Sequence, residues 1–106
     1  MSPDPVVVTA YFHPLPGKRE ELLEALRIAI PGVHDEPGCL LYAIQEAPDG
    51  TIVMIEKWES EALLDEHGSS AAVAAAAPTF ATALSSPVAV TRLRPIPIGD
   101  PVKGAL

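Results

Sequence analysis

Ile52-Val53-Met54-Ile55-Glu56-Lys57-Trp58-Glu59-Ser60 is the stretch that decides the fold. It is rich in β-branched and aromatic residues and bounded by turn formers, so it reads as a strand ending at Trp58. Successive side chains of a strand point to opposite faces. Ile52, Met54, Glu56 and Trp58 therefore share one face, while Val53, Ile55 and Lys57 share the other. Upstream, Pro48-Asp49-Gly50 is a turn, because proline presets φ and Asp-Gly tolerates the bend. Cys39–Glu46 precedes it as another strand, with Leu40, Tyr42 and Ile44 on one face and Cys39, Leu41 and Ala43 on the other. Residues 39–58 are thus predicted to form a hairpin.

Further out, Val6–Phe12 reads as a first strand, ended by Pro14, Pro16 and Gly17. From Lys18 the pattern is helical, with Leu22, Leu26, Ala29 and Val33 recurring every three or four residues. Pro31-Gly32 is expected to close this helix, since proline lacks the N–H that a helix interior needs. On the other side of the hairpin, Ser60 is placed to cap a short helix reaching His67 and stopped by Gly68. Ser69 or Ser70 then opens an alanine-rich helix with Val73, Ala77, Phe80 and Leu84 on one face, where Pro78 is expected to kink or split it. Val88–Leu93 is the last strand, and the tail from Pro95 is expected to run extended. The order β-α-β-β-α-β predicts an α+β fold of the ferredoxin-like, split β-α-β type. One domain is expected over residues 1–106, with its core at about 6–94 and a tail over 95–106.

Both faces of the hairpin strands are apolar, yet helices of this topology cover only one. The other would leave a patch larger than a soluble monomer normally exposes. A second copy of the same sheet is the simplest cover, so a two-fold homodimer is expected, with Ile96, Ile98 and Val102 strapping across the partner. The net charge of −7 argues against nucleic acid and anionic membrane surfaces as partners. The alanine-rich run 71–77 is the longest apolar stretch and is far too short to cross a bilayer. Met1-Ser2-Pro3-Asp4-Pro5 has neither the basic flank nor the apolar centre of a signal peptide. The single cysteine, Cys39, forms no internal disulfide, and a cytoplasmic location is expected.

Glu36-Pro37-Gly38-Cys39 with Tyr42, the "E-x-W-x-S" end of the central strand, Ala62 and Leu63, and His67 nine residues after Trp58 together resemble the antibiotic-biosynthesis monooxygenases. Leu15-Pro16-Gly17-Lys18, leading into the first helix, fits as well, and the similarity is closest to the cofactor-independent quinol monooxygenases. The resemblance implies a dimeric α+β barrel with a pocket between sheet and helices. There a quinol or polyketide-like phenol would be oxidised by O₂ with no cofactor and no metal. It departs from some relatives at Ala10 and Met54, where they carry asparagine, and at Ala72, where a second histidine is common.

On this reading His67 and Trp58 are the catalytic candidates, and Tyr42, Met54, Glu56 and His34 the substrate-binding ones. His67 is the side chain type that titrates near neutrality, although a histidine before a glycine also suits a helix terminus. Trp58 would stack on an aromatic substrate and offer its indole N–H, or else satisfy that N–H inside the core. Glu56, on an inward face, needs a partner or a proton; Arg92 or Arg94 is the expected partner. His13, His34, His67 and Cys39 lack metal-ligand spacing, and no phosphate loop, nucleophile elbow or dinucleotide fingerprint is present. Two other functions compete: haem binding or degradation with His67 as the axial ligand, and a non-catalytic small-molecule-binding dimer.

Overall fold

The computed structural model describes residues 4–106; Met1, Ser2 and Pro3, part of the stretch read for a signal peptide, lie outside the described residues. The elements run β1 Val6–Phe12, α1 Arg19–His34, β2 Cys39–Glu46, β3 Ile52–Trp58, α2 Glu61–Gly68, α3 Ala71–Ala83 and β4 Ala89–Leu93. The strands form one antiparallel sheet in the order β2-β3-β1-β4, the ferredoxin-like arrangement, with α2 and α3 in tandem on the second crossover. No helix among the described residues is long and apolar enough to cross a membrane.

The central strand obeys its predicted alternation. Ile52, Met54, Glu56 and Trp58 are buried toward the helices, and Val53, Ile55 and Lys57 are half-buried on the outer face. The alternation on β2 breaks at one place. Cys39 pairs with Trp58 but Leu41 pairs with Lys57, so a bulge at Leu40 inserts one unpaired residue. The slip turns Cys39 inward, where it packs near Trp58 with Tyr42, instead of outward with Leu41 and Ala43.

Pro31 does not end α1. The helix continues to His34 because its last turn buries Val33 against the sheet. That burial is worth about 1.5–3 kcal/mol, comparable to the ~3 kcal/mol an interior proline costs. The carbonyl that proline orphans belongs to Arg27, whose side chain is exposed. Pro78 likewise leaves α3 as one helix, being on its exposed side.

The inward face of α3 differs by one residue from the predicted face. Ala76 and Ala83 are buried and Ala77 is exposed. An alanine-rich helix is apolar all round, so its own pattern cannot choose a face; here Phe80 sets it, edge-on to Phe12 at 5.3 Å. Both later helices are capped as expected, with Ser60 Oγ accepting from the Leu63 N–H and Ser70 Oγ from the Val73 N–H.

Two apolar groups fill the space between sheet and helices. One contains Ala10, Phe12, Leu22, Leu26, Ile52 and Met54; the other contains Val6, Val8, Val33, Trp58 and Leu64. The outer sheet face carries no helix. Its Tyr11, Leu41 and Leu93 are partly exposed. Beyond β4 the chain has no helix or strand, but it does not run extended throughout as expected. A turn over 99–104 reverses it, with the Gly104 N–H donating to the Asp100 carbonyl. Gly104, Ala105 and Leu106 thus line a cleft on this face with Val7, Thr9 and Ile55, and Lys57 Nζ donates to the Leu106 carbonyl. Ile96, Ile98 and Val102 remain exposed.

Candidate functional site

The second apolar group contains polar chemistry that the first lacks. Trp58 ends β3 fully buried, and α2 brings His67 onto its ring. The ring centroids are 4.7 Å apart with the planes tilted by 31°. Tyr42, from β2, meets both rings edge-on, at 6.4 Å from Trp58 and 5.4 Å from His67. The bulge at Leu40 leaves Tyr42 opposite Glu56, on the helix side of the sheet.

Two carboxylates complete the cluster. Glu56 Oε1 accepts the indole N–H of Trp58 at 2.9 Å. This is a same-face contact two residues apart on one strand, as the alternation allows. It replaces the expected pairing of Glu56 with Arg92 or Arg94: Arg92 instead binds Asp65 at 2.7 Å and lies near Glu61, both on α2. The same bond uses the indole N–H internally, so that donor is not free for a ligand.

Glu36 Oε1 lies 2.8 Å from His67 Nδ1, with both side chains largely buried. Sequence reading made Glu36 part of a turn and of the Glu36-Pro37-Gly38-Cys39 stretch that carries the resemblance, but gave it no role in the site. The signal available was its position two residues before Gly38, whose φ of 83° fixes a tight reversal. The Gly38 carbonyl accepts from the Glu59 N–H, which ties the turn to the end of β3.

Burial pushes the Glu56 carboxyl above its ordinary value; the Trp58 hydrogen bond and His67 work against that rise, and Glu36 adds to it. Burial also pushes the Tyr42 hydroxyl well up, reinforced by Glu56 and Glu36, so it stays protonated across the physiological range. The Cys39 thiol is raised by burial and then by the same two carboxylates. Tyr42 and Cys39 are therefore proton donors, not anions.

Trp58, His67, Tyr42 and Glu56 of the predicted site come together, and Glu36 joins them. The other two candidates do not. Met54 shares the face of Trp58 but is fully buried in the first apolar group, among Phe12, Leu22 and Leu26. His34 stands at the exposed end of α1, where its Nε2 donates to the Tyr42 carbonyl at 2.9 Å. With Cys39, Leu40, Leu41, Tyr42 and Ala43 it lines a cleft beside the cluster, of about 360 Å³. A larger cleft, about 660 Å³, lies between β1, α2 and β4 and touches neither Trp58 nor His67.

The sequence profile of the family described as "Antibiotic biosynthesis monooxygenase" matches residues 5–79. The chain is 37% identical over 93 residues to "Putative monooxygenase Rv0793" of Mycobacterium tuberculosis, covering 87% of this chain and 92% of that protein. It is 32% identical over 89 residues to "Putative monooxygenase YcnE" of Bacillus subtilis, covering 82% and 94% respectively. The solved structure of Rv0793 superposes with a TM-score of 0.85, covering 92% of this chain and all of that one.

Proposed function

This chain belongs to the antibiotic biosynthesis monooxygenase family, and from that premise we propose that it oxidises a quinol or polyketide-like phenol with O₂, without metal or organic cofactor. The observation that carries this reading is the buried stack of Trp58 and His67, with Glu36 and Glu56 hydrogen-bonded behind it.

An electron-rich quinol supplies its own electrons once deprotonated. His67 takes the hydroxyl proton, and the buried Trp58 ring stacked against it holds the imidazole in place. The resulting anion reduces O₂, a ring C–H is replaced by C–O, one oxygen atom stays on the ring and the other leaves as water. The substrate gives up four electrons in all, ending as a hydroxyquinone, so no outside reductant is needed. The imidazolium formed on His67 offsets the charge of the quinolate, whereas a substrate that arrives as a carboxylate would bring a negative charge beside Glu36 with no such offset.

We further propose that the protein works as a cytoplasmic homodimer. The helix-free outer face, with Tyr11, Leu41 and Leu93 partly exposed, supports pairing with a second copy, and the exposed Ile96, Ile98 and Val102 are the tail residues for the partner's surface. The free Cys39 supports a reducing compartment.

Oxygen uptake with a panel of hydroxynaphthoquinols tests the chemistry. Turnover by the wild type that falls steeply in His67→Ala and Trp58→Phe is the expected result; no uptake across the panel would falsify it. Light scattering tests the assembly, and a monomer mass at micromolar concentration sinks the dimer.

A further inference from the structure

We propose that Glu36 is a positioning residue of this site: its carboxylate holds His67 in the tautomer that carries its proton on Nδ1, so that Nε2 is the nitrogen offered to the substrate. The inference rests on the reading of His67 as the base.

The contact itself is short and sheltered. Glu36 Oε1 is 2.8 Å from His67 Nδ1, and the two side chains retain 16% and 9% of their exposure. A carboxylate accepts and never donates while ionised, so the imidazole nitrogen facing it must carry the proton. A neutral imidazole has only one such proton, which leaves Nε2 as the lone pair.

Both partners are fixed from several sides. The Glu36 N–H donates to the Val33 carbonyl at the end of α1, and the Glu36 carbonyl accepts from the Cys39 N–H. Gly38 presses against α2 so closely that a Cβ there would lie 2.5 Å from Leu63 Cδ1 and 2.9 Å from Leu63 Cβ. Leu63 is on the helix that carries His67, so turn and helix are locked together. Trp58 at 4.7 Å and Tyr42 at 5.4 Å bracket the imidazole ring and oppose its rotation.

Among the described residues the Glu36 carboxylate makes one side-chain hydrogen bond, Oε1 to His67 Nδ1, and its buried Oε2 meets no protein group.

Nitrogen-15 NMR of the histidine side chains reads the tautomer directly and requires no substrate. The chain has three histidines, and a His67→Ala difference spectrum assigns the signals. In the mildly alkaline range, where an ordinary histidine is neutral, His67 is expected to show the Nδ1–H form. Glu36→Leu is expected to move it to the Nε2–H form that free imidazole prefers, and Glu36→Asp to retain the wild-type signal at least in part. The proposal is overturned by an Nε2–H or doubly protonated ring in the unmutated protein, a result that does not depend on any variant folding. It is also overturned by an unchanged Nδ1–H signal in a folded Glu36→Leu. With quinol as substrate, Glu36→Leu is expected to lower kcat by about 10–100-fold with little change in KM, by analogy with outer-shell partners of ligating histidines. If the tautomer follows Glu36 while His67→Ala still turns over quinol, the pairing stands and the assignment of His67 as base falls.

Discussion

The helix-facing side of the sheet has two ends that use the same two strands for different purposes. At one end, Ala10, Phe12, Ile52 and Met54 meet Leu22 and Leu26 of α1, with Phe80 of α3 alongside; Tyr42, which packs against both ends, is the titratable side chain that touches this group. At the other, Val6, Val8 and Trp58 meet Leu64 of α2, but His67, Glu36 and Glu56 are set among them. Along β3 the change takes place between Met54 and Trp58, two steps of one face. The first end is organised for packing. The second gives up apolar contact to hold buried polar groups in fixed directions, the arrangement expected where chemistry rather than stability is selected.

The largest effect is expected at the apolar end. Leu22 has no exposed surface, and Leu22→Ala should destabilise the fold by about 2–5 kcal/mol, as cavity-forming substitutions do. Urea unfolding measures this, and any loss of activity should follow only the folded fraction. A loss below ~1 kcal/mol would mean that this end is loosely packed, and the contrast would fail.

At the polar end, Trp58→Phe keeps an aromatic ring but removes the donor to Glu56 Oε1. A buried acceptor left without its partner costs about 1–3 kcal/mol. Quinol oxidation should fall by more than this loss of stability explains. Equal losses in both measurements would make Trp58 a packing residue like Leu22.

The two ends also differ in how far the sequence disclosed them. The apolar end was legible, because strict alternation on β1 and β3 and the 3.6-residue recurrence of Leu22 and Leu26 report burial directly. Around Trp58, the face followed from parity, whereas the placing of His67 at the same site came from the resemblance to the family. The partners followed from neither. Glu36 comes from a turn, where no periodicity points a side chain inward, and its contact with His67 spans 31 residues. The bulge at Leu40 changes no residue type, so nothing in the pattern marks it. Pairing Glu56 with Arg92 or Arg94 rests on charge alone, whereas Arg92 meets the acids of α2 and the Trp58 N–H meets Glu56 on its own strand. Pro31 was read as a stop because the burial of Val33 beyond it is a tertiary fact.

A smaller effect is expected from the cap that sets the helix of His67. Ser60→Ala removes the acceptor for the Leu63 N–H and should cost about 1 kcal/mol, within the usual range for a lost cap. Because α2 belongs to the polar end alone, urea unfolding should show this modest loss while activity falls further, as His67 loses its register on Trp58. Ser70→Ala, the matching change at α3, should cost a similar amount of stability and spare activity relative to the folded fraction. Equal activity losses in the two variants would remove the distinction between the helices.

The subtlest test compares the ends by pH. Burial raises the Glu56 carboxyl above its ordinary value of 4.5 in the folded chain. From about that value up to the raised one, the folded chain keeps a proton that the unfolded chain has lost, so the contribution of Glu56 falls as pH rises through this window. Glutamine does not titrate, yet its amide oxygen still accepts the Trp58 N–H, so Glu56→Gln should change the pH slope more than the overall stability. The stability advantage of wild type over Glu56→Gln should be greatest below 4.5 and shrink as pH rises beyond it. The difference between wild type and Leu22→Ala, where no titrating group is altered, should stay flat over the same range. A Glu56→Gln difference that grew with pH would mean that the carboxylate is favoured in the folded chain. Its hydrogen bond to Trp58 would then outweigh its burial.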